Sequence, residues 1–265
     1  MPSTVATKED DWLTLAAISS LACILQDVLH EGLGHGVTAL LSGSHRITMS
    51  TVALQSDIVT RWVSASGTFV NLFFGAVFWV ILLRPQPFRP ATHYFLAMAM
   101  AGNLFTGTGY FLYSGVANYG DWAAVIEGLQ PHWMWRLGLV AVGVTSYYVA
   151  MLLVAAKLKR FQGIDARPHR LRRLCWTPYV TDGILAGAAG LFNPLGLSYV
   201  ISAALASTLG ANAGFLSLPS LMRRGDRSQG TQIEPIGRSV AWIAIAAIAS
   251  LAFIFVLGPG VTWPR

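Results

Sequence analysis

Runs of apolar residues long enough to cross a bilayer as helices recur through this 265-residue chain. About seven can be marked, each roughly 20 residues long. The first begins at Trp12 and runs through Leu29, or on to Leu41. The others are Trp62–Leu83, Thr92–Gly115, Trp133–Lys157, Cys175–Phe192, Leu197–Leu218 and Val240–Leu257. Asn193-Pro194-Leu195-Gly196 separates the fifth from the sixth as a tight turn, a kink or a pair of broken half-helices. The composition agrees: 54% of residues are hydrophobic and 11% charged, where soluble domains carry about 25% charged. A soluble protein of this size has no interior large enough for so much apolar surface. The expected fold is therefore all-α, a polytopic transmembrane helical bundle.

The net charge of +6 does not point to nucleic acid, because the basic residues lie between apolar runs. Arg84 and Arg89 follow the second span. Lys157, Lys159, Arg160, Arg167, Arg170, Arg172 and Arg173 follow the fourth. Arg223, Arg224, Arg227 and Arg238 precede the last. With seven spans these connections fall on one side, which predicts a cytoplasmic N-terminus in a plasma or inner membrane. The stretch 158–173 is also suited to contact anionic lipid. Lys8 against Glu9, Asp10 and Asp11 is not the basic start of a signal peptide, so the first span is expected to stay. Cys23 and Cys175 lie in apolar runs and suggest neither a disulfide framework nor a zinc ribbon.

Chemistry enters at Asp27, His30, Glu31 and His35, four ionisable residues inside an apolar helix, where each is expensive. Imidazole and carboxylate are zinc ligands, and a carboxylate beside zinc-bound water is a general base. Two histidines four residues apart share one helical face, as in HExxH. Here they are five apart, which in a regular α-helix leaves them about 140° apart. A π-bulge would bring them together, and Gly32 and Gly34 permit one. The other geometry keeps a regular helix with Asp27, Glu31 and His35 on one face; Glu31 and His35 are then the ligands. Without a metal, the cluster reads as polar helix-packing groups, or as a cation or proton site in a non-enzymatic transporter or ion-binding protein.

The segment Leu29-His30-Glu31-Gly32-Leu33-Gly34-His35-Gly36 through Gly43 resembles the motif helix of the M50 (site-2 protease type) intramembrane metallopeptidases, with one residue inserted between His30-Glu31 and Leu33-Gly34-His35. Gly67-Thr68-Phe69-Val70-Asn71-Leu72 is similar to that family's Gly-Pro-x-x-Asn segment. The resemblance covers about the first 125 residues. It implies a motif-bearing membrane core over 1–125, with further transmembrane helices of the same membrane domain over 126–265. It also implies a catalytic zinc bound by two His and one Asp, with His30 and His35 as ligands and Glu31 as general base.

The third ligand has four candidates: Asp121, Asp182, His132 and His45. Depth favours Asp121, which follows the third span on the side where the histidines lie late in the first. Asp182 is shallow from the opposite side, although Pro178-Tyr179-Val180-Thr181-Asp182-Gly183 resembles the family's Pro-x-x-x-Leu-Asp-Gly motif, one residue short. Asp27 is a candidate to hold a His ring or carry a proton. Asn71 and Asn103 lie near mid-membrane, to orient a substrate backbone or to bond a neighbouring helix. The function these readings imply is a membrane zinc hydrolase acting on the amide of a membrane-embedded peptide, or on a lipid amide or ester. They do not specify an oligomeric state.

Overall fold

The structure is a computed structural model; it describes residues 9–84, 88–161, 168–196, 206–224 and 234–264. Asp11 starts the first helix by accepting from Thr14 N at 2.9 Å and from its hydroxyl at 2.8 Å. That helix runs as α1 (Trp12–Val28), a π-helical segment (Leu29–Gly36) and α2 (Val37–Leu41). Two short strands follow, β1 (Arg46–Met49) and β2 (Leu54–Ser56). Thr60 then caps α3 (Arg61–Leu83), accepting from Val63 N at 3.1 Å. Pro90, suited to a first helical position, opens α4 (Pro90–Ala117), and Asn118 ends it in the left-handed conformation at φ 52°.

Beyond these come α5 (Asp121–Ile126), α6 (His132–Leu158) with a 3₁₀ turn at Lys159–Phe161, α7 (Pro168–Gly190), α8 (Ala206–Asn212) and α9 (Gly214–Arg224). The chain closes with α10 (Val240–Ala252), a π turn at Phe253–Leu257, and β3 (Val261–Pro264). The molecule is mostly helical, as expected. Three short strands are added to the expected helices. They form one small antiparallel sheet in the order β2-β1-β3, with Ile47 opposite Ser56 on one side and Trp263 on the other.

Among the described residues, five helices are long and apolar enough to cross a membrane: Trp12–Leu41, Arg61–Leu83, Pro90–Ala117, His132–Phe161 and Val240–Leu257. They correspond to the first four expected spans and the last. The expected fifth span falls in α7, which is not of this class; it begins with Arg170, Arg172 and Arg173 and carries Asp182 at its middle. The expected sixth lies partly outside the described residues, and its described part is the two short helices α8 and α9.

Helix α4 is the axis of the bundle, with Tyr94, Ala97, Met98, Met100 and Phe105 almost fully buried. Around it, Leu15 and Ile18 of α1, Val154 of α6, Leu174 of α7 and Phe215 of α9 complete one core drawn from both halves of the chain. The outer helices turn apolar faces outward, including Phe73 and Val80 of α3 and Ile245, Ile248 and Leu251 of α10. Outward apolar faces of this kind are compatible with a lipid surround.

Candidate metal centre

The π-helical segment resolves the five-residue spacing of the histidines. Its wider turn pairs position i with i+5, so His30 and His35 come to one side, with Nε2 atoms 3.1 Å apart. Of the two geometries left open by the sequence, the chain adopts this one. Gly34 makes it possible, since a methyl group there would stand 2.5 Å from Gly67 Cα of α3. The two helices meet backbone to backbone at that point.

Each imidazole is fixed from behind. His30 Nδ1 bonds Asn71 Oδ1 at 2.5 Å, and His35 Nδ1 bonds the Val63 carbonyl at 2.6 Å. Both acceptors lie on α3. Asn71 can serve only as an acceptor through that oxygen, because its amide nitrogen already donates to Asn103 Oδ1 at 2.8 Å and to the Gln26 carbonyl at 3.2 Å. Asn103 is held by the Ala99 carbonyl at 2.8 Å. Each ring therefore carries its proton on Nδ1 and presents an Nε2 lone pair.

Asp121 supplies the third donor. Its Oδ2 lies 3.1 Å from His30 Nε2 and 3.3 Å from His35 Nε2. The residue opens α5 just after Gly120, whose φ of 84° suits glycine. Trp122 pins α5 to α3 by donating from Nε1 to Thr68 Oγ1 at 3.0 Å. Arg136 holds the preceding turn through the carbonyls of Gly115 and Val116.

Two imidazole nitrogens and a carboxylate oxygen, all within about 3.3 Å of each other, form a group able to hold a metal ion. Ligands at zinc distances of about 2.0–2.1 Å in tetrahedral array stand about 3.3 Å apart. The observed triangle fits that size.

A cavity of about 180 Å³ opens on the triangle, lined by Glu31, His35, Leu54, Tyr110, Tyr113 and Asp121 among others. Glu31 is 6% exposed, and Leu54 and Ser56 of β2 line the same cavity. The sheet thus forms one wall of the cavity. Tyr110 stacks on His30 with ring centroids 4.8 Å apart.

The other sequence candidates lie elsewhere. Asp182 is buried against Asn212, whose Nδ2 donates to it at 3.2 Å, and does not reach the histidines. His132 bonds Asn118 Oδ1 at 3.0 Å, and His45 is exposed in the turn before β1. Asn71 and Asn103 have no exposed surface, and their amides bond protein groups. The contact that fixes a His ring belongs to Asn71, whereas the sequence reading offered Asp27. The Val63 carbonyl and Tyr110 were not anticipated; Gly67 was read only as part of the Gly67–Leu72 segment, and the signal for its place at the centre is that it lies four residues before Asn71 on one face of α3. Comparison of the chain with protein-family models, with curated proteins and with solved structures finds no significant match.

Proposed function

We propose that this chain is a membrane-embedded zinc-dependent hydrolase of the M50-like peptidase kind, cleaving an amide bond in a membrane-embedded substrate. The observation that carries the proposal is the convergence of the His30, His35 and Asp121 donor atoms. Each ring is already committed through Nδ1, so its free lone pair faces the same point. In this reading His30, His35 and Asp121 hold the ion, which supplies an activated water and polarises a carbonyl. Glu31 is the general base: its carboxylate lines the same cavity, and it sits beside His30 on the π-helical segment. Asn71, braced by Asn103, is a positioning residue that keeps the His30 ring in register.

The same proposal sets the N-terminus in the cytoplasm. Asp11 N donates to the Ile236 carbonyl at 2.7 Å, and β3 pairs with β1, so the first and last membrane helices begin together and end together. The basic residues Arg84, Arg89, Lys157, Lys159 and Arg238 then belong to the beginning, inner end. Whether α7 to α9 add two crossings or none, this parity is unchanged, and the metal centre lies toward the outer end.

The test is Glu31→Gln in proteoliposomes holding a membrane-spanning peptide library. We expect the variant to keep its zinc and lose cleavage that the wild type performs. Loss of zinc in Glu31→Gln would make Glu31 a ligand and overturn its role as base.

A further inference from the structure

Glu31 belongs to two cavities. Behind it lies a second, smaller one of about 40 Å³, whose wall includes Gln26, Asp27, Thr51, Thr106 and Thr208, and also His30, whose Nδ1 is taken by Asn71 and whose Nε2 faces the metal centre. Three side-chain oxygens of this wall are buried without a hydrogen-bond partner among the described residues: Asp27 Oδ2, Glu31 Oε2 and Thr51 Oγ1. Glu31 and Thr51 are 6% and 8% exposed. Asp27 and Glu31 lie four residues apart on one helix, and among the described residues neither has a Lys or Arg partner. Asp27 is half-buried; a carboxylate that stays ionised beside Glu31 needs compensating charge, and three orphan oxygens around a polar cavity need a donor or a cation.

We propose that this cavity binds one monovalent cation of sodium's size, held by Asp27, Glu31 and Thr51 and separate from the His30–His35–Asp121 centre. The donors are all oxygen, which suits a hard cation, whereas the imidazoles of the other centre suit zinc. Magnesium keeps several waters and demands octahedral geometry. A cavity of about 40 Å³ holds an ion with at most a few waters, since one water needs about 10–15 Å³. The choice of a single charge rests on the proposed zinc centre. A divalent ion there is balanced by Asp121 and Glu31, leaving the Asp27 charge to a monovalent partner.

The experiment measures saturable binding of radioactive sodium to the purified full chain in detergent, with choline as the replacing cation. The variants are Asp27→Asn, Thr51→Val and His35→Ala. We expect one sodium per chain in the wild type, lost in Asp27→Asn and weakened roughly tenfold in Thr51→Val. His35→Ala should lose zinc and still bind sodium, which separates failure of the zinc reading from failure of this one. Absence of saturable sodium binding in the wild type overturns the proposal and leaves Asp27 as a neutral, protonated acid. Sodium binding that survives both Asp27→Asn and Thr51→Val at full affinity also overturns it. Thr51→Val decides the matter if Asp27→Asn does not fold.

Discussion

A methyl group at position 67 would stand 2.5 Å from His35 Nε2 and 2.7 Å from His30 Nε2. Gly67 is therefore the floor of the metal centre, and a side chain there would occupy space that the Nε2 atoms face. We expect Gly67→Ala to reduce zinc affinity roughly 10–100-fold, by analogy with the loss of a supporting partner, while the helical circular dichroism stays near wild type. Zinc titration of the purified variant checks this; unchanged affinity would mean that the rings have room the geometry denies. At this scale the ionisable residues were legible, because each stands out in an apolar run. The Val63 carbonyl was not, since a backbone acceptor leaves no trace in residue type. Asn71 was visible as a polar residue in mid-membrane, but its role depended on what lies across from it on α1.

At the scale of elements, the π-helical segment follows from particular residues. Histidines five apart require a wider turn to share a face; Gly32, Gly34 and Gly36 tolerate it, and Gly34 lets α3 approach. The small sheet could not be read the same way. Its strands are three or four residues long, and β1 finds its second partner in β3 at the far end of the chain, a pairing that no local pattern announces.

Asp57 holds the turn into β1. Its carboxylate accepts from the Ser44 hydroxyl and from His45 N at 3.1 Å and Arg46 N at 3.3 Å, and these bonds, Ser44 first, draw the carboxyl down to about 2. A lowered folded value means the contribution is complete above the unfolded value of about 3.9 and is lost as pH falls toward about 2. Amide exchange of Arg46 and Ile47 should thus stay constant, after correction for intrinsic rates, from neutral pH to about 4 and speed up below it. Asp57→Asn should remove that acid step. An acid step that persists in the variant would assign it to another group.

At the scale of the whole molecule, composition and apolar run length made the membrane bundle legible, and five of the expected spans are helices of the required length and hydropathy. The segment around α7 to α9 was not, because its Gly, Ala, Thr and Pro content gives similar signals for a crossing and for a helix packed inside the bundle. Topology can be tested directly. His45 and His169 are both exposed, and the proposed orientation puts them on opposite faces. A membrane-impermeant maleimide added to sealed right-side-out vesicles should label His45→Cys and should reach His169→Cys only after permeabilisation. Native Cys23 and Cys175 are buried and give low background. Labelling of His169→Cys in intact vesicles would reverse the orientation.

The central claim is that His30, His35 and Asp121 hold a metal ion. It is tested most directly by the zinc content of purified wild type, His35→Ala and Asp121→Ala, with retained fold checked by circular dichroism. The geometry predicts one zinc per wild-type chain and loss in both variants. A wild type that takes up no zinc even when it is supplied would contradict the metal centre and leave the polar cluster as an ion or proton site. Zinc retained in Asp121→Ala would contradict Asp121 as its third ligand.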